Sequence, residues 1–156
     1  MGARSGLVFA LDAKTGCIHW TYETDGGVRS SMIVGPAMNG RHNVYFGDSS
    51  AHVYALDFMS GEERWKVKVE DHPEARITAA PILYEGRLYV PVSSLEEGAT
   101  VMPTYECCTF RGSIVALAAT SGQQVWKTYA IPEEPQPTDK NIVGTQRWGP
   151  SGAGIW

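Results

Sequence analysis

Short β-branched and aromatic runs recur along the chain, each cut off by turn residues. Val8-Phe9-Ala10-Leu11 and Val53-Tyr54-Ala55-Leu56 are two of them, and their length and composition predict strands. An Asp-x-x-Thr/Ser-Gly turn follows: Asp12 and Asp57 can accept bonds from backbone N–H groups just ahead, and Gly16, Gly61 and Gly122 can take positive φ. A strand with alternating residues then runs through a tryptophan, as in Val125-Trp126-Lys127-Thr128-Tyr129. Each unit therefore predicts a hairpin. The unit occurs three times as a 14-residue pattern: LVFALDAKTGCIHW (7–20), HVYALDFMSGEERW (52–65) and SIVALAATSGQQVW (113–126). The tryptophans at 20, 65 and 126 are 45 and 61 residues apart. Strand repeats at roughly 40–50 residues predict an all-β fold, a β-propeller with four-stranded blades.

Each hairpin supplies the third and fourth strands of a blade. The first and second lie upstream: about 31–34 and 43–46, turning at Met38-Asn39-Gly40, and about 77–84 and 87–92, turning at Glu85-Gly86. The chain then reads as a blade end (1–27), two complete blades (28–70 and 76–131) and the start of another (141–156). No helix is expected within the two complete blades. Residues 131–140, with Pro132, Pro135 and Pro137, read as a polar connecting loop. Propellers close with four to eight blades, so this is a partial propeller, an open arc with bare strand edges. We read it as a piece of a larger protein, with no signal peptide opening the chain.

The two full blades differ in one place. From Tyr45 to Ala55 is 10 residues, and from Tyr89 to Ala116 is 27. The 17 additional residues fall between second and third strands, where insertions in repeats form loops, often on the binding face.

Bulk properties narrow the function. With 43% hydrophobic and 19% charged residues the chain is globular. A net charge of −4 argues against a nucleic-acid partner held by phosphate neutralisation, and no apolar run is long enough for a membrane span. The three cysteines are Cys17 and the adjacent pair Cys107-Cys108. They form no C-x-x-C, so neither a zinc site nor a c-type haem attachment is present.

Antiparallel pairing of a blade's first two strands puts Thr78 beside Ser93, Ser94, Glu96 and Glu97 on one face. The insertion, with Arg111, opens there, as does the segment ending in Trp156. Hydroxyls, carboxylates, an arginine and a tryptophan thus converge, whereas Cys17 sits at a hairpin tip on the opposite face. Each has a plainer reading. Glu96 and Glu97 can be solvated loop charges, Thr78 and Ser93 turn hydroxyls, and Arg111 a surface residue. Cys107 and Cys108 can be two free buried thiols. Trp20, Trp65 and Trp126 recur with the blade and read as packing. Trp156 lies outside the repeat and is the better stacking candidate. His19, His42, His52 and His72 show no ligand spacing.

The ALDxxTGxxxW repeat resembles that of the quinoprotein alcohol dehydrogenases, eight-bladed propellers that bind pyrroloquinoline quinone (PQQ). In that family an I-T-x-A-P segment precedes a strand and then S-x-x-E; here Ile77-Thr78-Ala79-Ala80-Pro81 precedes Ser93-Ser94-Leu95-Glu96-Glu97. The resemblance implies that Thr78 and Ser93 bond the quinone's polar edge and that Glu96 binds its calcium ion. Ser94 and Glu97 fit with a one-residue slip. It also implies that Arg111 can pair with a quinone carboxylate, that Trp156 can stack on the ring, and that Cys107 and Cys108 form a disulfide against the cofactor. In several members of that family the pair lies one blade earlier, so this last contact departs from their pattern, and an oxidising compartment is required. The CCTFRGS and WGPSGAGIW wording is similar to the polyvinyl-alcohol-dehydrogenase-like branch.

The implied function is PQQ- and calcium-dependent oxidation of an alcohol, polyvinyl alcohol among the candidates, in the periplasm with cytochrome c as electron acceptor. The catalytic base is assigned to no residue here. Two other readings stand beside it: a non-catalytic propeller of the same repeat acting as a protein-binding scaffold, and a non-functional open arc from a truncated gene.

Overall fold

The computed structural model describes residues 5–37 and 40–156. In chain order, β1 (Leu7–Leu11) and β2 (Ile18–Glu23) form a first, two-stranded sheet. The second sheet runs β3 (Ile33–Pro36), β4 (His42–Gly47), β5 (His52–Asp57) and β6 (Glu63–Lys68) in sequence order. The third contains β7 (Ala75–Arg76), β8 (Ile82–Tyr84), β9 (Arg87–Ser94), β10 (Ser113–Ala118) and β11 (Gln124–Tyr129). A one-turn helix α1 (Glu96–Ala99) lies between β9 and β10. A last hairpin joins β12 (Gln136–Lys140) to β13 (Gln146–Gly149). Every strand pair is antiparallel.

The three repeats fold to one register: Ala10 faces Trp20, Ala55 faces Trp65, and Ala116 faces Trp126, with a bulge after each alanine. Turn chemistry sets this. Asp12 Oδ1 accepts the N–H of Lys14 and Thr15 at 3.0 and 2.8 Å. Asp57 Oδ1 accepts those of Met59 and Ser60 at 3.0 and 3.1 Å.

Two of the repeat tryptophans dock on the next sheet. Trp20 Nε1 donates to the Phe58 carbonyl at 3.1 Å, and Trp65 Nε1 to that of Ala119 at 3.0 Å. The indoles lie flush on Gly61 and Gly122, where a Cβ would come within 2.6 and 2.7 Å of the ring. These glycines are therefore required twice, for φ of +74° and +72° and for the contact. Trp126 and Gly16 are the matching halves at the two ends of the arc: Trp126 is 38% exposed, and nothing lies within 4 Å of a Cβ at Gly16.

The core lies between sheets. Tyr45, Val53 and Ala55 join Leu88, Val90, Val92, Val115 and Leu117 in one cluster, while Val44, Phe46, Tyr54 and Leu56 join Val8 in another. Neighbouring residues of β4 and β5 thus point into opposite clusters, which is the period-2 geometry of a strand buried on both faces.

The structure departs from the sequence reading at four places. Of the strand expected over 77–84 only β8 forms, with the short β7 ahead of it, because residues 77–81 leave the ladder. The Ile77 N–H goes to the Asp48 carbonyl of the neighbouring sheet at 2.9 Å, and Pro81 has no N–H to give. In the second sheet the first strand is shifted to 33–36 and the second extended to 42–47; of its expected turn, Met38 and Asn39 lie outside the described residues. The polar stretch to 140 is not all loop: β12 pairs with β13 around Asn141, whose Oδ1 accepts the N–H of Val143 and Thr145. Finally, helix does occur in the span 76–131, as the single turn α1 inside the insertion.

Candidate functional site at the end of β9

The departure at residue 77 turns the chain so that Thr78 meets the last residues of β9. Arg76 pairs with Ser93 across the ladder, and two residues on the Thr78 Oγ1 stands 3.1 Å from Ser93 Oγ. Ser93 is fully buried and donates to the Arg76 carbonyl at 3.3 Å. With its hydrogen so placed, Ser93 accepts from Thr78, and the Thr78 oxygen keeps its lone pairs. The C-terminal segment packs against the same spot. Ile155 N donates to the Val92 carbonyl at 3.3 Å. A Cβ at Gly154 would lie 3.4 Å from Ser93 Cβ and 3.5 Å from Trp156 Nε1. Gly154 thus lies against both Ser93 and the Trp156 indole, which is 66% exposed. This segment is held by Gly112: its N–H donates to the Gly152 carbonyl at 2.8 Å, and a Cβ there would strike the Ala153 carbonyl oxygen at 1.8 Å. Thr78, Ser93 and Trp156, far apart in sequence, are brought together.

Ser94 and Glu96 turn to another task. The Ser94 hydroxyl accepts the Glu96 N–H at 3.3 Å. Glu96 is only 3% exposed. Its Oε1 accepts from Thr109 N at 2.7 Å and from the Tyr105 hydroxyl at 3.2 Å; its Oε2 accepts from Phe110 N at 2.9 Å. His72 Nε2 lies 3.5 Å from Oε1 and 3.0 Å from Thr109 Oγ1. Because His72 Nδ1 accepts the Glu74 N–H at 3.2 Å, the proton of the neutral ring belongs on Nε2, facing these oxygens. Burial first, and then the Glu96 carboxylate, push the Tyr105 hydroxyl up to about 12. Glu97 projects into solvent.

Calcium takes six to eight oxygen ligands. Among the described residues no group of three or more His, Cys, Asp and Glu side chains is placed to hold a metal ion. Glu96, whose oxygens face N–H and O–H hydrogens, does not fit the ligand role the sequence suggested.

Arg111 is also engaged elsewhere. Its Nη1 donates to the carbonyls of Pro132 and Ile131 at 2.9 and 3.3 Å, and its Nη2 to Glu134 Oε1 at 2.6 Å. The guanidinium lies 4.1 Å over the Tyr129 ring. Its fork anchors the 131–134 segment and is not free for a ligand carboxylate.

Cys107 and Cys108 form a disulfide, and Cys17 is an exposed free thiol. The disulfide backbone pairs with β13: Trp148 N donates to the Cys107 carbonyl at 2.7 Å, and Cys108 N to that of Trp148 at 3.4 Å. Trp148 Nε1 is buried and has no hydrogen-bond partner among the described residues.

Sequence reasoning missed His72, Tyr105 and Trp148. Trp148 carried a signal, since it stands outside the repeat. His72 and Tyr105 carried none, because their partner is reached only once the insertion has folded back.

The chain matches the protein-family model described as "Outer membrane protein assembly factor BamB" over residues 1–145. It is 41% identical to a polyvinylalcohol dehydrogenase of Sphingopyxis sp. over 155 residues, 97% of this chain and 24% of that protein. It is 27% identical to the quinohemoprotein alcohol dehydrogenase of Comamonas testosteroni, over 97% of this chain and 22% of that one. The solved structure of the Comamonas enzyme matches 85% of this chain and 19% of its own at TM-score 0.64 and 24% identity. That of a quinohemoprotein alcohol dehydrogenase from Pseudomonas putida matches 91% and 20% at TM-score 0.66 and 22% identity. These two likenesses give the fold, a partial propeller whose sheets do not close into a ring. The chain spans about a quarter of the length of the relatives it matches. By the family match and by its likeness to these dehydrogenases, the chain belongs to the PQQ-repeat propeller family and is similar to its quinoprotein alcohol dehydrogenases, polyvinyl alcohol dehydrogenases among them.

Proposed function

We propose that this chain is part of a PQQ-dependent dehydrogenase that oxidises an alcohol, with polyvinyl alcohol as the first candidate. The observation that carries the reading is the Thr78–Ser93 hydroxyl pair with Trp156 beside it. The Thr78 hydroxyl can turn from Ser93 to donate to an oxygen-rich cofactor edge, and the exposed indole offers a flat face for stacking. When bound, PQQ supplies the redox chemistry, while the protein binds and orients it. Ser94 supports the turn into α1, and the disulfide loop pairs with β13. We assign residues 1–27, 28–70, 76–131 and 141–156 to successive blades of the whole propeller. Calcium enters this proposal only for the whole protein, since Glu96 is committed and Glu97 stands alone. Periplasmic location and transfer of electrons to a cytochrome c belong to the same proposal. The family description also supports a second reading, a scaffold without cofactor.

One experiment separates the two. PQQ added to the full-length apoprotein should quench tryptophan fluorescence and restore dye-linked alcohol oxidation. Thr78→Ala should weaken PQQ binding by roughly tenfold, the weight of one hydrogen bond to a polar ligand. Absence of both quenching and oxidation in the unaltered protein would move the function to the scaffold.

A further inference from the structure

A carboxylate as buried as Glu96 must be matched by donors. Its matching groups come from one stretch of chain. Tyr105 lies before the dicysteine, and Thr109 and Phe110 directly after it. One side chain thus closes the whole loop from 96 to 110, with Cys107 and Cys108 inside it. His72 backs the same carboxylate from the segment before β7, through Nε2 at 3.5 Å, and its ring packs edge-on against Phe110 at 5.5 Å. On the other side the dicysteine is pinned to β13 by its two backbone bonds with Trp148. A hard cation needs lone pairs directed into a space shared with other oxygens. The Glu96 lone pairs are directed at hydrogens.

We propose that Glu96 is the latch that seats the dicysteine loop: a positioning residue for Cys107 and Cys108, and not a cation ligand. The latch needs neither quinone nor metal, so it stands or falls apart from the cofactor reading.

Amide hydrogen exchange on the whole protein tests it. Glu96→Gln is isosteric but turns one acceptor into an N–H donor facing other donors. It should speed exchange at Thr109 and Phe110 by roughly tenfold, the weight of one charge-assisted hydrogen bond. Exchange at Ser50 and His52, held by Asp48, should not change, whereas general destabilisation would speed all four. Glu97→Gln should leave all four as they are. Chymotrypsin should cut at Tyr105 faster in the Glu96→Gln protein. Calcium chloride added to the unaltered protein should not alter exchange at Thr109 and Phe110, because the carboxylate remains with its donors. Unchanged exchange at both amides in Glu96→Gln overturns the latch, and so does loss of their protection on adding calcium. Where Glu96→Gln does not fold, Tyr105→Phe carries the test. It should raise exchange at Thr109 about threefold, as one weaker donor is lost, and no change there overturns the proposal.

Discussion

The second and third sheets make the same connection, from second strand to third, in two lengths. In the second it is a tight turn, residues 48–51, and Asp48 organises it. Asp48 is fully buried; its Oδ1 accepts from Ser50 N and His52 N at 2.9 Å each, and its Oδ2 from Gly26 N at 2.9 Å and the Tyr54 hydroxyl at 2.8 Å. In the third sheet the connection runs from 95 to 112, and Glu96 organises it in the same way. Each carboxylate gathers two N–H groups of the returning chain and one tyrosine hydroxyl, with a histidine nitrogen within 3.8 or 3.5 Å. The difference is reach. The returning donors lie two and four residues after Asp48, but 13 and 14 after Glu96. Loop-closure entropy grows only with the logarithm of length, so one buried carboxylate suffices for the long connection too. Asp48 also grips the preceding sheet through Gly26, whereas Glu96 grips only its own loop and His72.

That contrast predicts unequal losses. Asp48→Ala strips two turn N–H groups, an inter-sheet N–H and a buried hydroxyl of their acceptor, and should lower unfolding free energy by about 4 kcal/mol in urea titrations. Glu96→Ala should lower it by only about 2 kcal/mol, because the freed loop can reach water. Equal losses would mean that the insertion is as much a part of the fold as the tight turn.

The tyrosines refine the comparison. Tyr54 is wholly buried, bonds Asp48 and accepts the Asp25 N–H at 3.0 Å; Tyr105 is partly exposed. Tyr54→Phe should lower unfolding free energy by about 1.5 kcal/mol and Tyr105→Phe by about 0.5 kcal/mol. A larger loss at Tyr105 would break the ranking.

The smallest effect is alkaline. Tyr105 is raised from 10.0 to about 12 in the folded protein, so its neutral form is favoured there. Its contribution to stability is fully present below the unfolded value and is lost as pH rises through about 12, because over that window the unfolded state binds fewer protons. Tyrosinate absorbance should show Tyr105 ionising late, with chymotryptic cutting at that residue rising in the same window. In Glu96→Gln, without the facing charge, Tyr105 should ionise earlier. An unchanged titration there would remove Glu96 from the causes of the shift.

The three hairpins were legible because their determinants are local. Asp12, Asp57 and the glycines at 16, 61 and 122 act within five residues of their partners, so residue type and spacing specify the turn. The Thr78–Ser93 contact was legible for a related reason, since antiparallel pairing alone juxtaposes the start of one strand with the end of the next. The break between β7 and β8 was not legible, because Ile77 gives its N–H to another sheet. The direction of tryptophan docking was hidden in the same way: nothing near Trp20 in sequence says that its socket is Gly61 and not Gly16.

Sequence alone determined the blade repeat, the placing of the insertion and the convergence of Thr78, Ser93 and the chain's last residues. Tertiary structure alone decided which of the converging side chains remain available. Arg111 and Glu96 were equal candidates as residue types. Packing then committed the guanidinium to the 131–134 segment and the carboxylate to the amides of Thr109 and Phe110. A buried charge takes whatever counter-groups the folded chain delivers to it, and those come from nine to 23 residues away, beyond the range over which residue type specifies a partner.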